Sequence, residues 1–91
     1  MMYGLIGRTL KHSFSKEIHE KLGYDYELKE LEPEKVADFI QKKEFSAINV
    51  TIPYKETVMP YLDEIDDHAK AIGSCNTIVK KDGKLYGYNT D

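Results

Sequence analysis

Lys55 is the side chain with the most suggestive setting. It follows the apolar run Ala47-Ile48-x-Val50-x-Ile52 and stands two residues past Pro53. Proline cannot donate to a strand ladder, so the run must stop there. A lysine just beyond the carboxyl end of a core strand lies where open α/β sheets keep their ligands. It also suits a solvated charge at a turn. Ser13 and Ser15 form a second candidate, at the mouth of a helix-like segment. One reading is a helix cap plus a spare hydroxyl. The other is a pair of donors for an anionic ligand, assisted by the helix N-terminus. Gly4 and Gly7 have the spacing G-x-x-G, which is not the G-x-G-x-x-G of a dinucleotide fold. Gly7 reads as a strand-ending turn with positive φ. Cys75 has no ligand-spaced companion and reads as a small buried residue. His12 and His19 also lack such a companion and suit surface or packing roles. The acidic stretch Asp63, Glu64, Asp66, Asp67, with His68 and Lys70, reads as a solvated helix face rather than a metal site.

These side chains need a frame, and the apolar periodicity supplies one. Met2 to Gly7 suits a buried first strand. Phe14, Ile18 and Leu22 recur every four residues and mark a helix that Gly23 can stop. Tyr24, Tyr26 and Leu28 alternate with charged residues, as in a half-exposed strand near a sheet edge. Pro33 can open a helix with Val36, Phe39 and Ile40 buried and Lys42 and Lys43 in its last turn. Ser46 to Ile52 is the most apolar strand and so the central one. Glu56 to Tyr61 reads as a short helix interrupted at Pro60. Leu62 to Ile72 reads as another, with Ile65, Ala69 and Ile72 inward. Gly73 to Thr77 is a turn into Ile78-Val79. Asp82-Gly83 centres a hairpin returning through Leu85-Tyr86-Gly87-Tyr88. The fold class is therefore α/β: a three-layer sandwich with a mixed, mainly parallel sheet of five or six strands, covered by helices and ending in a β-hairpin.

Composition narrows the class of protein. The chain has 91 residues, enough for one small domain, with 41% apolar and 32% charged residues. A net charge of −3 argues against nucleic acid as a partner. No apolar run approaches the roughly 20 residues of a membrane span. The start lacks the pattern of a secretory signal. One cysteine permits no internal disulfide, which suits the cytoplasm.

Five segments in order carry a resemblance: Gly4-Leu5-Ile6-Gly7; His12-Ser13-Phe14-Ser15 with Ile18-His19; Asn49-Val50-Thr51-Ile52-Pro53-Tyr54-Lys55; Ile72-Gly73-x-x-Asn76-Thr77; and Gly87-Tyr88-Asn89-Thr90-Asp91. Together they resemble the N-terminal substrate-binding domain of shikimate dehydrogenases, over the whole chain. The resemblance implies reduction of 3-dehydroshikimate to shikimate with NADPH, on the route to chorismate and the aromatic amino acids. It implies that Ser13 and Ser15 hold the substrate carboxylate. It implies that Thr51, Asn76 and Asp91 bond ring hydroxyls, with Asn76 and Thr90 shaping that pocket. Lys55 and Asp91 become the catalytic pair at the reacting oxygen. Lys55 is the acid/base and Asp91 its partner and substrate anchor, with their protonation states left open. Thr9 and Lys16 stand where the family often has prolines, and Ser74-Cys75 replaces a small apolar pair.

The family's NADP-binding Rossmann domain has no counterpart in these residues. The expectation is therefore one domain, 1–91, that binds shikimate or 3-dehydroshikimate, needs no metal and has no turnover alone. Either the enzyme was cut to one domain or the piece is naturally separate. The other readings are a catalytically silent ligand-binding or dimerisation module, and a domain of a quinate/shikimate dehydrogenase. Relatives of this kind are often dimers through this domain, so a homodimer is the assembly the resemblance implies.

Overall fold

The structure, a computed structural model, describes residues 2–8, 10 and 26–90. The helix expected around Phe14 to Leu22 lies outside the described residues, as do Ser13, Ser15 and Asp91. Within them run β1 (Met2–Gly7), β2 (Glu27–Glu30), α1 (Pro33–Lys42), β3 (Phe45–Val50), a 3₁₀ turn (Met59–Tyr61), β4 (Glu64–Ile65), α2 (Asp67–Ile72), β5 (Thr77–Lys81) and β6 (Lys84–Tyr88). The strands form one six-stranded sheet in the order β2-β1-β3-β5-β6-β4. The pairings β1–β2, β1–β3 and β4–β6 are parallel, and β3–β5 and β5–β6 are antiparallel. This is the mixed, mainly parallel sheet the periodicity implies, with β2 at one edge.

Successive strand residues face opposite sides of a sheet. Accordingly Leu5 joins a cluster with Leu10 and Tyr26, while Ile6 joins a second, larger one. The larger cluster takes Val36 and Ile40 from α1, Ile48 and Val50 from β3, and Ile78 and Leu85 from the hairpin. Phe39 packs on it and stacks on Phe45 with ring centroids 5.7 Å apart. Pro33 opens α1, Glu34 lies in its first turn and Lys42 in its last, as the helix dipole favours. Lys43 ends the helix at φ 54°. Its ammonium donates to the Gly83 carbonyl at 2.8 Å, and Lys80 donates to its carbonyl at 2.9 Å. Asp82 and Gly83 have φ values of 54° and 77°, as a tight hairpin turn requires.

Three sequence expectations change. First, β3 ends at Val50, and Ile52 is 75% exposed. The ladder stops because the chain turns at once, with Tyr54 N–H donating back to the Thr51 carbonyl at 3.0 Å. The Ile52–Pro53 peptide is cis. Second, Glu56 to Tyr61 is a series of turns rather than an α-helix. Bonds such as Met59 N–H to Glu56 O and Tyr61 N–H to Val58 O close tighter rings, and Pro60 has no N–H to give an α-helix. Third, the helix expected over Leu62 to Ile72 is divided. Glu64 and Ile65 pair with Tyr86 and Gly87 as β4, and only Asp67–Ile72 is helical. Two aspartates direct the division. The Asp63 carboxylate accepts Leu85 N–H at 2.7 Å, and the Asp66 carboxylate caps His68 N–H at 3.0 Å. Short acidic side chains compete with helical bonds in this way. Ala69 is buried as expected, while Ile72 is 47% exposed.

Candidate functional site

The carboxyl ends of β1, β3 and β6 meet the start of β5 at one end of the sheet. Register brings them together, since Ile6 pairs with Val50, Asn49 with Thr77, and Thr77 with Tyr88. Thr51 follows directly from β3 and its N–H donates to the Ile6 carbonyl at 3.0 Å. Gly7 lies against it. A Cβ on Gly7 would stand 2.6 Å from Thr51 Cγ2 and 2.9 Å from Leu10 Cδ2. The glycine is therefore required by close approach, and the positive-φ turn expected there is not found. Among the described residues the left-handed glycines are Gly73 and Gly83.

Lys55 sits on the turn after Pro53, half-buried, between two deeply anchored neighbours. Tyr54 and Val58 both enter the larger core cluster. The Tyr54 hydroxyl donates to the Leu31 carbonyl at 2.5 Å. Cys75 N–H donates to the Lys55 carbonyl at 2.8 Å. That bond holds the Lys55 backbone beside the loop carrying Asn76. Lys55 also lines a shallow hollow of about 260 Å³ with Ile52, Pro53, Glu56 and Ser74.

Asn76 and Thr90 meet directly. Asn76 Nδ2 donates to Thr90 Oγ1 at 3.0 Å, and Thr90 N–H donates to Asn76 Oδ1 at 3.2 Å. Main-chain bonds set the loop, with Asn76 N–H donating to the Tyr88 carbonyl and the Asn76 carbonyl accepting from Val50 N–H. Asn89 is buried, and its amide donates to the Ser74 carbonyl and hydroxyl at 3.0 and 3.1 Å. Cys75 is buried too, with its thiol donating to the Thr77 carbonyl at 3.1 Å. Burial pushes its ionisation up, against the smaller opposing pull of hydrogen bonds with the Thr77 and Tyr88 backbone. That keeps it a protonated packing residue.

Of the residues singled out in the sequence, Thr51, Lys55, Asn76 and Thr90 gather at this end of the sheet. Sequence reasoning gave no separate role to Asn49, Thr77, Asn89 or Tyr26, which hold the site together. Their signal was weak. Asn49 is a polar residue in an otherwise apolar strand, and Tyr26 is an inward position in an alternating one. The acidic stretch lines a larger hollow of about 600 Å³ beside β4 and α2, which includes none of the four gathered residues. Among the described residues no group of acidic, histidine or cysteine side chains could hold a metal ion.

Comparison with known proteins bears on this arrangement. Residues 5–78 match the family described as shikimate dehydrogenase substrate binding domain. A curated NADP(+) shikimate dehydrogenase of Clostridium beijerinckii is 51% identical over 98 aligned positions, spanning 98% of this chain and 36% of that protein. The crystal structure of shikimate dehydrogenase from Aquifex aeolicus matches with a TM-score of 0.90 at 37% identity, covering 99% of this chain and 37% of that one. A shikimate 5-dehydrogenase from Thermus thermophilus, solved in complex with shikimate, matches with a TM-score of 0.90 at 30% identity, covering 99% and 38%. The present chain spans a little over a third of the length of these relatives.

Proposed function

Since this chain belongs to the family of shikimate dehydrogenase substrate-binding domains, we propose that it is the substrate-binding half of an NADP-dependent shikimate dehydrogenase. The observation that carries this reading is the gathering of Thr51, Lys55, Asn76 and Thr90 where the parallel strands β1 and β3 end. A small polyol acid needs many short hydrogen-bonding side chains and one anion subsite. Thr51, Asn76 and Thr90 supply the first kind. Ser13 and Ser15, outside the described residues, supply the anion subsite in this reading.

Reduction of a ketone leaves negative charge on its oxygen. An ammonium beside that oxygen stabilises the charge and delivers the proton. Lys55 takes that role, with Asp91 as partner and substrate anchor. In the reverse direction Lys55 receives the hydroxyl proton. The nicotinamide nucleotide supplies the hydride, and its binding domain lies outside these 91 residues in this reading. The setting we assign is the cytoplasm. Among the described residues no helix is long and apolar enough to cross a membrane.

Titration of the ¹⁵N-labelled chain with shikimate tests the site. We expect shifts at Ser13, Ser15, Thr51, Lys55 and Asn76 with ligand at roughly millimolar concentration, where a small polar acid held by half a site binds. A flat titration there overturns the reading. Quinate in the same experiment distinguishes a quinate/shikimate enzyme, and sedimentation of the same sample reads the homodimer.

A further inference from the structure

A chain of side-chain hydrogen bonds crosses the site from Tyr26, just before β2, to the last described residue. Tyr26 OH lies 2.8 Å from Asn49 Oδ1, and Asn49 Nδ2 lies 3.3 Å from Thr77 Oγ1. Thr77 Oγ1 lies 3.0 Å from Asn76 Oδ1, and Asn76 Nδ2 lies 3.0 Å from Thr90 Oγ1. One main-chain group decides the direction of every link. Thr90 N–H lies 3.2 Å from Asn76 Oδ1 and can only donate. The Asn76 amide is thereby oriented, with its oxygen inward and its nitrogen on Thr90 Oγ1. Thr77 must then donate to that same oxygen. A hydroxyl has one hydrogen, so Thr77 must accept from the next residue. Asn49 therefore presents its nitrogen to Thr77 and its oxygen to Tyr26, which must donate.

We propose that Tyr26 and Thr77 are positioning residues that lock the Asn76 amide as a one-way donor toward the ligand. This rests on the reading of Asn76 as a ligand contact. With Thr77 and Thr90 N–H both on Oδ1, the two acceptor sites of that oxygen are filled. Asn76 keeps one N–H that has no partner among the described residues, and it can only donate to an oxygen of the ligand. Removing the Tyr26 hydroxyl releases the far end. Asn49 can then turn its oxygen toward Thr77, whose hydrogen follows it, and Asn76 Oδ1 loses a donor. Bonds of this kind strengthen one another in a partly buried setting.

Three variants separate this role from simple packing. Thr77→Val keeps the shape and removes the hydroxyl, whereas Thr77→Ser loses the methyl and keeps the hydroxyl. Tyr26→Phe keeps the ring. By ¹⁵N NMR of the 91-residue chain, Thr77→Val and Tyr26→Phe should displace the Asn76 side-chain amide signals without ligand. Both should weaken shikimate binding about tenfold, the equivalent of one hydrogen bond. Thr77→Ser should restore most of the affinity lost in Thr77→Val, the order opposite to that of a packing role. Unmoved Asn76 amide signals in both Tyr26→Phe and Thr77→Val, or a Thr77→Ser variant as weak as Thr77→Val, overturn the proposal. A flat shikimate titration of the unaltered chain would instead defeat the reading of the site, and the ligand-free Asn76 signals would still judge the relay.

Discussion

The backbone position of Lys55 is set by its neighbours. Tyr54 and Val58 sink into the core on either side, and Cys75 N–H holds the Lys55 carbonyl. In the complete dehydrogenase proposed above, Lys55→Ala should leave that backbone in place and remove the ammonium to which we assign the proton. Turnover should fall by roughly 10²–10⁴-fold, the usual worth of a positioned acid or base, with substrate affinity far less affected. Steady-state kinetics with shikimate and NADP⁺ separate the two, and surviving turnover sinks the assignment. Cys75 yields a pH test. Its folded-state ionisation lies above the ordinary thiol value of 9.0. As pH rises past that value the unfolded chain loses the thiol proton while the folded chain keeps it, so stability must fall. Melting temperature should decline as pH rises above about 9, and Cys75→Ala should remove part of that slope while lowering stability throughout.

At the scale of elements, the site depends on how closely β1 and β3 run at their ends. Gly7 lets the Thr51 methyl and Leu10 approach. Gly7→Ala would press on both, costing about 1–3 kcal/mol in overpacking. Chemical denaturation reads that cost, and shikimate titration should also show weaker binding because Thr51 must move. The corresponding Gly83→Ala should leave the site alone, since a Cβ there meets nothing within 4 Å and only its φ of 77° resists. α2 is different, because it hangs on its cap. Asp66→Ala removes the bond to His68 N–H and should cost about 1 kcal/mol. Ligand binding should survive that change, because α2 carries none of Thr51, Lys55, Asn76 or Thr90.

Across the whole molecule, the sheet order gives the two halves of the chain different work. β1 and β3 form the parallel core, whose carboxyl ends open onto Thr51 and Lys55. The antiparallel β5–β6 hairpin folds back beside them, so the start of β5 and the end of β6 reach the same place. Asn76 and Thr90 thus come from opposite ends of one hairpin and close onto each other. In the proposed reading this arrangement is the substrate cradle, and the nucleotide is held by a domain outside these 91 residues. The purified 91-residue chain should therefore bind shikimate yet show no NADPH-dependent reduction of 3-dehydroshikimate in a spectrophotometric assay. Measurable turnover would refute the division of labour proposed here.

Much of this was legible before any tertiary contact was known. Pro33 opening α1, the Asp82-Gly83 turn, the central place of β3 and the edge place of β2 follow from local preferences and periodicity, which residues carry with them. The candidate lysine was legible too, because the carboxyl end of a buried strand is a position that sequence order already defines. What the sequence could not display was any choice made by a partner distant along the chain. Leu62 to Ile65 has a helical composition, but β6 had an edge to fill and Asp63 bonded Leu85 instead. Gly7 is small because Thr51 and Leu10 arrive beside it, not because its own φ demands it. Ile52 belongs to an apolar run but is left exposed by the turn that follows β3. Asn49, Thr77 and Tyr26 acquire their roles only when strand register lines them up, and the direction of their bonds is then set by a single main-chain N–H at Thr90.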